Sequence, residues 1–192
     1  MTRLTQAITT LTRLTSLSTR VLADVAVGTA FVQRPPSYTV PAFSGSVGVA
    51  GYFGGGYAPS LTSRIDKITF PADTKTTLSA TLSSARSELS AMANSAVAGY
   101  FGGGYDGANI SGIDKVSFPA DTKTTLSATL TAGRSELGGM ANSGVAGYFG
   151  GGDPATDIID KVSFPADTKT TLSATITANV TSITGMANSG LL

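Results

Sequence analysis

The sequence predicts an all-β fold made of three copies of one repeat, preceded by a dissimilar N-terminal arm. Three observations predict it: a Tyr-Phe-Gly-Gly-Gly motif occurs three times, short segments alternate apolar with polar residues, and charged residues make up only 13% of the chain. Charged residues are usually about a quarter of a globular protein. The abundant Thr residues suit pleated strands better than helices. The pattern is typical of short strands joined by tight turns.

The repeat is defined by constant spacings. The motif at 52–56 recurs at 100–104 and at 148–152, 48 residues apart each time. Ile-Asp-Lys at 65–67 recurs at 113–115 and 159–161, so the third repeat is two residues shorter in its variable loop. Phe70–Leu82 returns unchanged as Phe118–Leu130, and the third repeat changes only the last residue, to Ile176. Self-similarity at a fixed period indicates a repeat architecture.

Each repeat is predicted to contain four short strands. In the middle repeat these are Val97–Phe101, Ile113–Phe118, Thr124–Leu130 and a strand around Met140. The second alternates apolar and polar residues, as a half-buried strand does. The triple glycine after the first strand permits positive φ. Pro119–Thr122 supplies turn residues, and the aspartates of the three turns are expected to cap them: Asp73, Asp121 and Asp167.

These features resemble degenerate kelch repeats, which form four-stranded blades of β-propellers. The residues that carry this resemblance are Ala85-Arg86-Ser87, Tyr100-Phe101-Gly102-Gly103, Ile113-Asp114 and Leu126, although the Trp that usually follows the turn is absent. The Tyr-Phe-Gly-Gly-Gly, Ile-Asp-Lys and Phe-Pro-Ala-Asp-Thr motifs also resemble repeats in tail-associated proteins of bacteriophages, especially phages of cyanobacteria. This resemblance covers residues 47–192. It implies three kelch-like blades, at about 47–94, 95–142 and 143–192, in a protein made in the host cytoplasm and located in the virion tail.

Three blades are too few to close a ring, because closed propellers use roughly four to eight. An open wedge would expose sheet faces and strand edges. We therefore expect a homo-oligomer, in which two chains complete a six-bladed ring or three chains form an intertwined β-fold; stacking of the blades on another virion protein is the remaining alternative. The Arg-Ser-Glu of 86–88 and 134–136 becomes Val180-Thr181-Ser182 in the third repeat. A terminal repeat meets a different neighbour, so a capping or docking role is expected there.

Residues 1–46 lie outside the repeat and are predicted to form an anchoring arm. Apolar residues recur three or four positions apart, as on a helix face. The intervening Thr and Ser residues are poor helix formers, so strand pairing with a partner stays open beside an amphipathic helix. We expect the arm to dock on other virion proteins, the alternative being an arm that folds back over the blades. Its anchoring residues would be Leu4, Ile8, Leu11, Leu14 and Leu17.

The composition excludes several classes of chemistry. The chain contains neither cysteine nor histidine, which removes Cys/His zinc sites, thiol nucleophiles and the Ser-His-Asp relay. A net charge of +1 gives no general case for nucleic-acid binding. No apolar stretch approaches the ~20 residues of a membrane span. The triple glycines lack the Gly-Lys-Ser/Thr of a phosphate-binding loop. The sequence thus predicts no enzyme activity, no catalytic residue, no cofactor and no metal.

The charged residues that recur in each repeat are expected to be structural. Asp66, Asp114 and Asp160 each precede a lysine and are expected to form solvated pairs with it rather than a metal site. Arg86 lies two residues from Glu88, as Arg134 does from Glu136. Residues two apart share one face of a strand. These pairs are therefore expected to form salt bridges.

Ligand binding stays open in the loops that differ between repeats. Variable loops on a rigid frame often recognise ligands, and tyrosine rings and amides suit sugars; drift of unselected loops is the alternative. The candidate residues are Tyr57, Tyr105, Asp106, Asn109 and Asp153. We therefore expect a non-enzymatic phage structural protein, a tail-fibre or baseplate component that displays a β-repeat head for host-surface glycans. A free, lectin-like carbohydrate-binding propeller is the alternative.

Overall fold

The computed structural model describes residues 50–188. In this range the chain has eleven strands in three antiparallel sheets and no helix, which confirms the expected all-β class. No helix long and apolar enough to cross a membrane occurs in the described part of the chain. The arm at 1–46, with all five of its predicted anchoring residues, lies outside the described residues.

The strands follow the sequence repeat, and each sheet is a meander in which every strand pairs with the next along the chain. The first sheet contains β1 (Ala50–Gly54), β2 (Ile65–Thr69) and β3 (Thr74–Thr77). The second contains β4 (Ser90–Asn94), β5 (Ala98–Gly102), β6 (Ile113–Ser117) and β7 (Thr122–Thr125). The third contains β8 (Gly138–Asn142), β9 (Ala146–Gly150), β10 (Ile159–Ser163) and β11 (Thr168–Thr171).

The sheets are offset from the sequence repeat. The first strand of each four-stranded sheet, β4 or β8, comes from the end of the preceding sequence repeat. The sequence unit 95–142 therefore contributes β5, β6 and β7 to one sheet and β8 to the next. The first sheet has only three strands in the described residues, and the three sheets do not close into a ring there.

The strand expected at residues 124–130 is wrong in extent. Strand β7 ends at Thr125, after which the Leu126 N–H donates to the Ile113 carbonyl at 2.9 Å and the Leu130 N–H donates to the Ser111 carbonyl at 2.8 Å. The chain leaves the sheet here because it must cross to the next one. Leu130 is buried and Leu126 half-buried, so both leucines do face inward as expected.

The core lies between neighbouring sheets. Phe149 of β9 is fully buried against the second sheet, where a Cβ built at Gly102 would lie 2.6 Å from its ring. Phe101 of β5 packs in the same way on Gly54 of the first sheet, at 2.9 Å. Glycine is required at these two positions because a phenyl ring takes the space of its side chain. The remaining core is mainly Ile65, Leu82, Met92, Tyr100, Ile113, Val116, Leu130, Leu137 and Val162.

Candidate functional site

Each of the two four-stranded sheets is linked to the chain segment that enters it by one buried arginine. Arg86 donates through Nη2 to Asp114 at 3.0 Å and to the Phe101 carbonyl at 3.3 Å. Arg134 donates through Nη2 to Asp160 at 2.6 Å and through Nη1 to the Gly151 carbonyl at 2.8 Å. Both aspartates are fully buried. Each guanidinium therefore ties the entering segment to the second and third strands of the sheet, Arg86 through one nitrogen and Arg134 through two.

The buried aspartates are held in the ionised form. Burial raises the pKa of Asp114, but hydrogen bonds from the Ser83 N–H and hydroxyl and from the Thr125 hydroxyl, together with Arg86, outweigh it, so this pKa lies below its ordinary value. The pKa of Asp160 is lowered in the same way, by Thr131, Thr171 and Arg134. Carboxylates this fully engaged hold the structure together.

This geometry corrects two expectations about charge pairing. Asp114 and Asp160 do not form solvated pairs with the following lysines. Their ionic partners are the arginines of the preceding segment and, on the neighbouring strand, Lys123 and Lys169. The expected salt bridges of Arg86 with Glu88 and of Arg134 with Glu136 are also wrong. Each glutamate has positive φ, +56° and +53°, and lies outside the strands. The alternation that would place the two charges on one face does not apply there.

Asp66 keeps only part of this arrangement. It lies on β2 at the position of Asp114 and Asp160, but its side chain is about a quarter exposed. It accepts from the Thr77 hydroxyl at 2.5 Å and lies 3.3 Å from Lys75 Nζ. The hydrogen bond from Thr77 lowers the pKa of Asp66, against a smaller opposing effect of burial. Here too the adjacent Lys67 is not the partner.

Two turn aspartates join neighbouring sheets. Asp121 accepts from the Tyr52 hydroxyl at 2.7 Å and from Lys67 Nζ at 2.7 Å. Asp167 accepts from the Tyr100 hydroxyl at 2.7 Å and from Lys115 Nζ at 2.6 Å. The expectation that these side chains cap their own turns is wrong, because their oxygens are taken by the preceding sheet.

Aromatic stacking accompanies each of these bridges. Tyr52 stacks on Phe118 with ring centroids 4.7 Å apart, and Tyr100 stacks on Phe164 at 5.1 Å. Burial and the Asp167 carboxylate raise the pKa of Tyr100 far above its usual value. Burial and Asp121 likewise raise the pKa of Tyr52, although Lys67 opposes them. Both phenols therefore stay protonated and act as donors.

No constellation for metal binding occurs in residues 50–188, where no three His, Cys, Asp or Glu side chains converge. The recurring aspartates Asp66, Asp114 and Asp160 lie in three different sheets.

The candidate binding loops lie side by side. Tyr105 bridges to Ser87, and the Gly56 N–H donates to the Arg86 carbonyl, so the first two loops flank one segment. The Asn109 amide donates to the Asp153 carbonyl at 2.9 Å and to its carboxylate at 3.3 Å, which joins the second loop to the third. We call the loops at 57–61, 105–109 and 153–156 the loop row.

The loop row exposes aromatic and acidic side chains. Tyr57 is 71% exposed and Tyr105 is 41% exposed. Asp106 and Asp153 are exposed, while Asn109 is half-buried by its bonds to the third loop. All five candidate binding residues thus lie in one continuous row, which their positions in the sequence did not specify.

Exposed sheet faces at the ends of the array were expected, but the sequence analysis did not name the residues that form them. Phe53 is 72% exposed and Phe70 47% exposed on the first sheet, and Met186 is 90% exposed beyond the third. A cavity of about 690 Å³ lies beside β1, and one of about 280 Å³ lies beside Gly150 and Met186. The motif itself gave no sign of this, because Phe101 and Phe149, at the position of Phe53, are buried.

Comparison with known proteins found no relative from which a function could be inferred. No known protein family matches the sequence, and no curated protein matches it. The array of sheets, the loop row and the two apolar ends are therefore the features from which a function can be argued.

Proposed function

We propose that this chain is a non-enzymatic structural protein of a bacteriophage tail, a tail-fibre or baseplate component. Residues 1–46 attach it to other virion proteins, and the β-repeat head faces the host surface. The observation that carries this proposal is the loop row: loops that differ between repeats lie together on a frame that repeats almost unchanged. The resemblance of the repeat to phage tail-associated proteins supports the virion setting.

The loop row has the chemistry of a saccharide-binding surface. The faces of Tyr57 and Tyr105 can stack on pyranose rings, which present apolar C–H groups. The carboxylates of Asp106 and Asp153 can accept hydrogen bonds from sugar hydroxyls. The buried Arg–Asp pairs keep the loops in place, so little conformational entropy is lost on binding. The ligand class we propose is a host-surface glycan.

Deletion of residues 1–43 tests attachment. We expect the shortened protein to keep its β structure and to be absent from assembled particles, whereas the full chain is found in purified virions by mass spectrometry. A full-length protein that occurs free of particles and binds glycans would contradict the virion proposal and favour the lectin-like alternative.

Removal of the exposed rings tests the surface. Tyr57→Ala with Tyr105→Ala is expected to weaken binding of the labelled head to host cells by about tenfold or more, since each stacked ring contributes roughly 0.5–1.5 kcal/mol. Thr124→Ala, at an exposed position of β7, is the matched control and should bind as the unaltered head does. Equal binding by all three proteins would place recognition elsewhere.

A further inference from the structure

The first sheet lacks a fourth strand in the described residues, and a segment with the sequence of such a strand follows the third sheet. Residues 184–188 (Thr-Gly-Met-Ala-Asn) follow the third sheet and lie beside β8 as β8 lies beside β4. A Cβ at Gly185 would be 2.6 Å from the Gly139 carbonyl oxygen, and one at Gly139 would be 2.6 Å from that of Ala91. Within residues 50–188, no strand pairs with 184–188 and none pairs with the edge of β1 that faces away from β2.

We propose that residues 184–188 of one chain pair antiparallel with β1 of a second copy and complete its first sheet. In the four-stranded sheets Met92 lies opposite Tyr100 and Met140 opposite Tyr148. The same register sets Met186 opposite Tyr52 of the second copy. Adding a strand to an open sheet edge supplies main-chain hydrogen bonds, and its side chains supply specificity. The proposal does not depend on what the loop row binds.

The exposed phenylalanine of the first sheet has a receiving site on the third sheet. Phe101 and Phe149 are 4% and 0% exposed because each packs on a glycine of the sheet before it. Phe53, at the same position, is 72% exposed. The equivalent glycine is Gly150, which borders the 280 Å³ cavity together with Ile176. Phe53 of the second copy would enter this cavity.

The bridging aspartate also has separated partners. In the first and second sheets a tyrosine and a lysine bind the aspartate of the next sheet. Tyr148 and Lys161 are the equivalent residues of the third sheet. The aspartate at this position of the first sheet is Asp73, which is exposed. Phe70, the neighbour that would stack on Tyr148, is 47% exposed. Docking of a second copy brings the four side chains together.

The cavity beside β1 fits the incoming strand. Met92 of the second sheet lies against Gly147 of the third. The equivalent of Gly147 in the second sheet is Gly99, which lines the 690 Å³ cavity together with Met92 and Ala96. Met186 of the docked chain would lie there. Asn94 Oδ1 accepts from the Gly144 N–H at 2.8 Å, and Asn188 would accept from the Ala96 N–H in the same manner.

Changes of residue size at the two ends are complementary. Arg86 lies near Gly112, where a Cβ would make an ordinary contact of 3.9 Å with Nη1, and Arg134 has the apolar Ile158 at the same position. At the ends the sizes are exchanged: Val180 replaces the arginine, and the exposed Arg64 replaces Gly112. Arg64 directly precedes β2, and its charge helps to lower the pKa of Asp66. The guanidinium for Asp66 would thus come from its own sheet.

A competing occupant of the β1 edge is the segment that precedes it in the sequence. Residues 42–46 align with β4 and β8 but read Ala-Phe-Ser-Gly-Ser, so Ser44 replaces the methionine and Ser46 the asparagine. Residues 186–188 keep Met-Ala-Asn. In the four-stranded sheets the equivalent space is filled by a methionine and an asparagine. Residues 184–188 contain both of these side chains, and residues 42–46 contain neither. Two chains joined in this way would form a closed ring of six sheets, within the roughly four to eight that propellers use.

Light scattering after size-exclusion chromatography tests the join. We expect the chain to have twice its 19.3 kDa mass, and Phe53→Glu to reduce it to a single chain with an unchanged β-sheet circular dichroism spectrum. Tyr57→Glu is the matched control, because Tyr57 is as exposed as Phe53 but lies in the loop row. A monomeric unaltered chain, or a Phe53→Glu variant that stays dimeric, would overturn the proposal.

Engineered cysteines test the register, since the chain has no cysteine of its own. Ala187 would lie opposite Gly51, as Ala93 lies opposite Gly99. Ala187→Cys with Gly51→Cys should form an interchain disulfide under mild oxidation, seen as a dimer on a non-reducing gel. Ala187→Cys with Ala50→Cys leaves Phe53 in place, puts the thiols on opposite faces of the completed sheet and should not. A disulfide in the intrachain pair Gly45→Cys with Gly51→Cys would assign the edge to residues 42–46 instead and sink the proposal.

Discussion

Arg134 and Asp160 show how individual residues stabilise the array. A buried ion pair adds little net stability over apolar residues of the same volume, because both charges lose their hydration. Once the pair exists, however, removal of Arg134 leaves Asp160 charged and buried, with Lys169 at 3.3 Å as its remaining ionic partner. The hydroxyls of Thr131 and Thr171 also depend on the aspartate as their acceptor. The pair is therefore a point where a single change has a large cost.

Arg134→Met is expected to lower the free energy of unfolding by about 1.5–3 kcal/mol, because Asp160 loses a charged hydrogen-bond donor but keeps Lys169. Urea denaturation followed by circular dichroism measures the change. Lys75→Met is the matched control, since Lys75 is 53% exposed and solvent screening leaves such surface contacts with little effect on stability. Similar losses in the two variants would show that the burial of Asp160 does not determine the cost.

Stability is expected to fall in acid. The pKa values of Asp114 and Asp160 are lowered in the folded state, so the unfolded chain binds protons first as the pH falls. Their contribution is fully present above the unfolded pKa of about 3.9 and is lost as the pH passes below it to the lowered folded values. The urea midpoint should therefore drop steeply below about pH 4. A midpoint that is constant down to pH 2 would contradict this account.

At the scale of strands and sheets, Gly102 sets how closely two sheets approach. Gly102→Ala is expected to destabilise the protein by about 1–3 kcal/mol, because the new methyl group would overlap the Phe149 ring. Gly112→Ala is the control: its Cβ would meet only ordinary contacts, at 3.5 and 3.9 Å. Thermal or urea unfolding of the two variants gives the comparison. An equal effect would mean that backbone freedom, and not the ring, determines the choice of glycine.

The positions of the strands could be predicted from the sequence better than the side-chain contacts between sheets. Alternation in Ile113–Phe118 and the glycines after Phe101 identified strands and turns directly. The role of Asp121 was not predictable, because its carboxylate oxygens accept hydrogen bonds from Lys67 and Tyr52, which lie 54 and 69 residues earlier in the chain and in another sheet. Local turn chemistry suggests that Asp121 caps its own turn. The packing of the two sheets instead directs its carboxylate to the preceding sheet.

At the scale of the whole molecule, the proposed join can be tested by exchanging charges. Asp73→Lys places two lysines opposite each other at the join and is expected to dissociate the dimer. Asp73→Lys combined with Lys161→Asp restores an opposite pair and should restore the dimer. Sedimentation velocity at low salt measures both, since screening weakens such contacts. A double variant that stays monomeric while the unaltered chain is dimeric would show that these residues do not face each other.

The sequence also could not reveal which apolar residues are left uncovered. Phe53 and Phe101 occur in identical motifs, yet one is exposed and the other buried. The difference depends only on whether a sheet precedes them in space. The positions of the loop row were predicted residue by residue, but their alignment depends on the stacking of sheets.

The offset between sheets and sequence repeats bears on how such a protein can evolve. The first two units each supply three strands to one sheet and the first strand to the next. Gain or loss of a whole unit by recombination would therefore leave unchanged the join that we propose between residues 184–188 and β1 of a second copy. The number of chains in a ring could change between descendants while the joining surfaces stayed as they are.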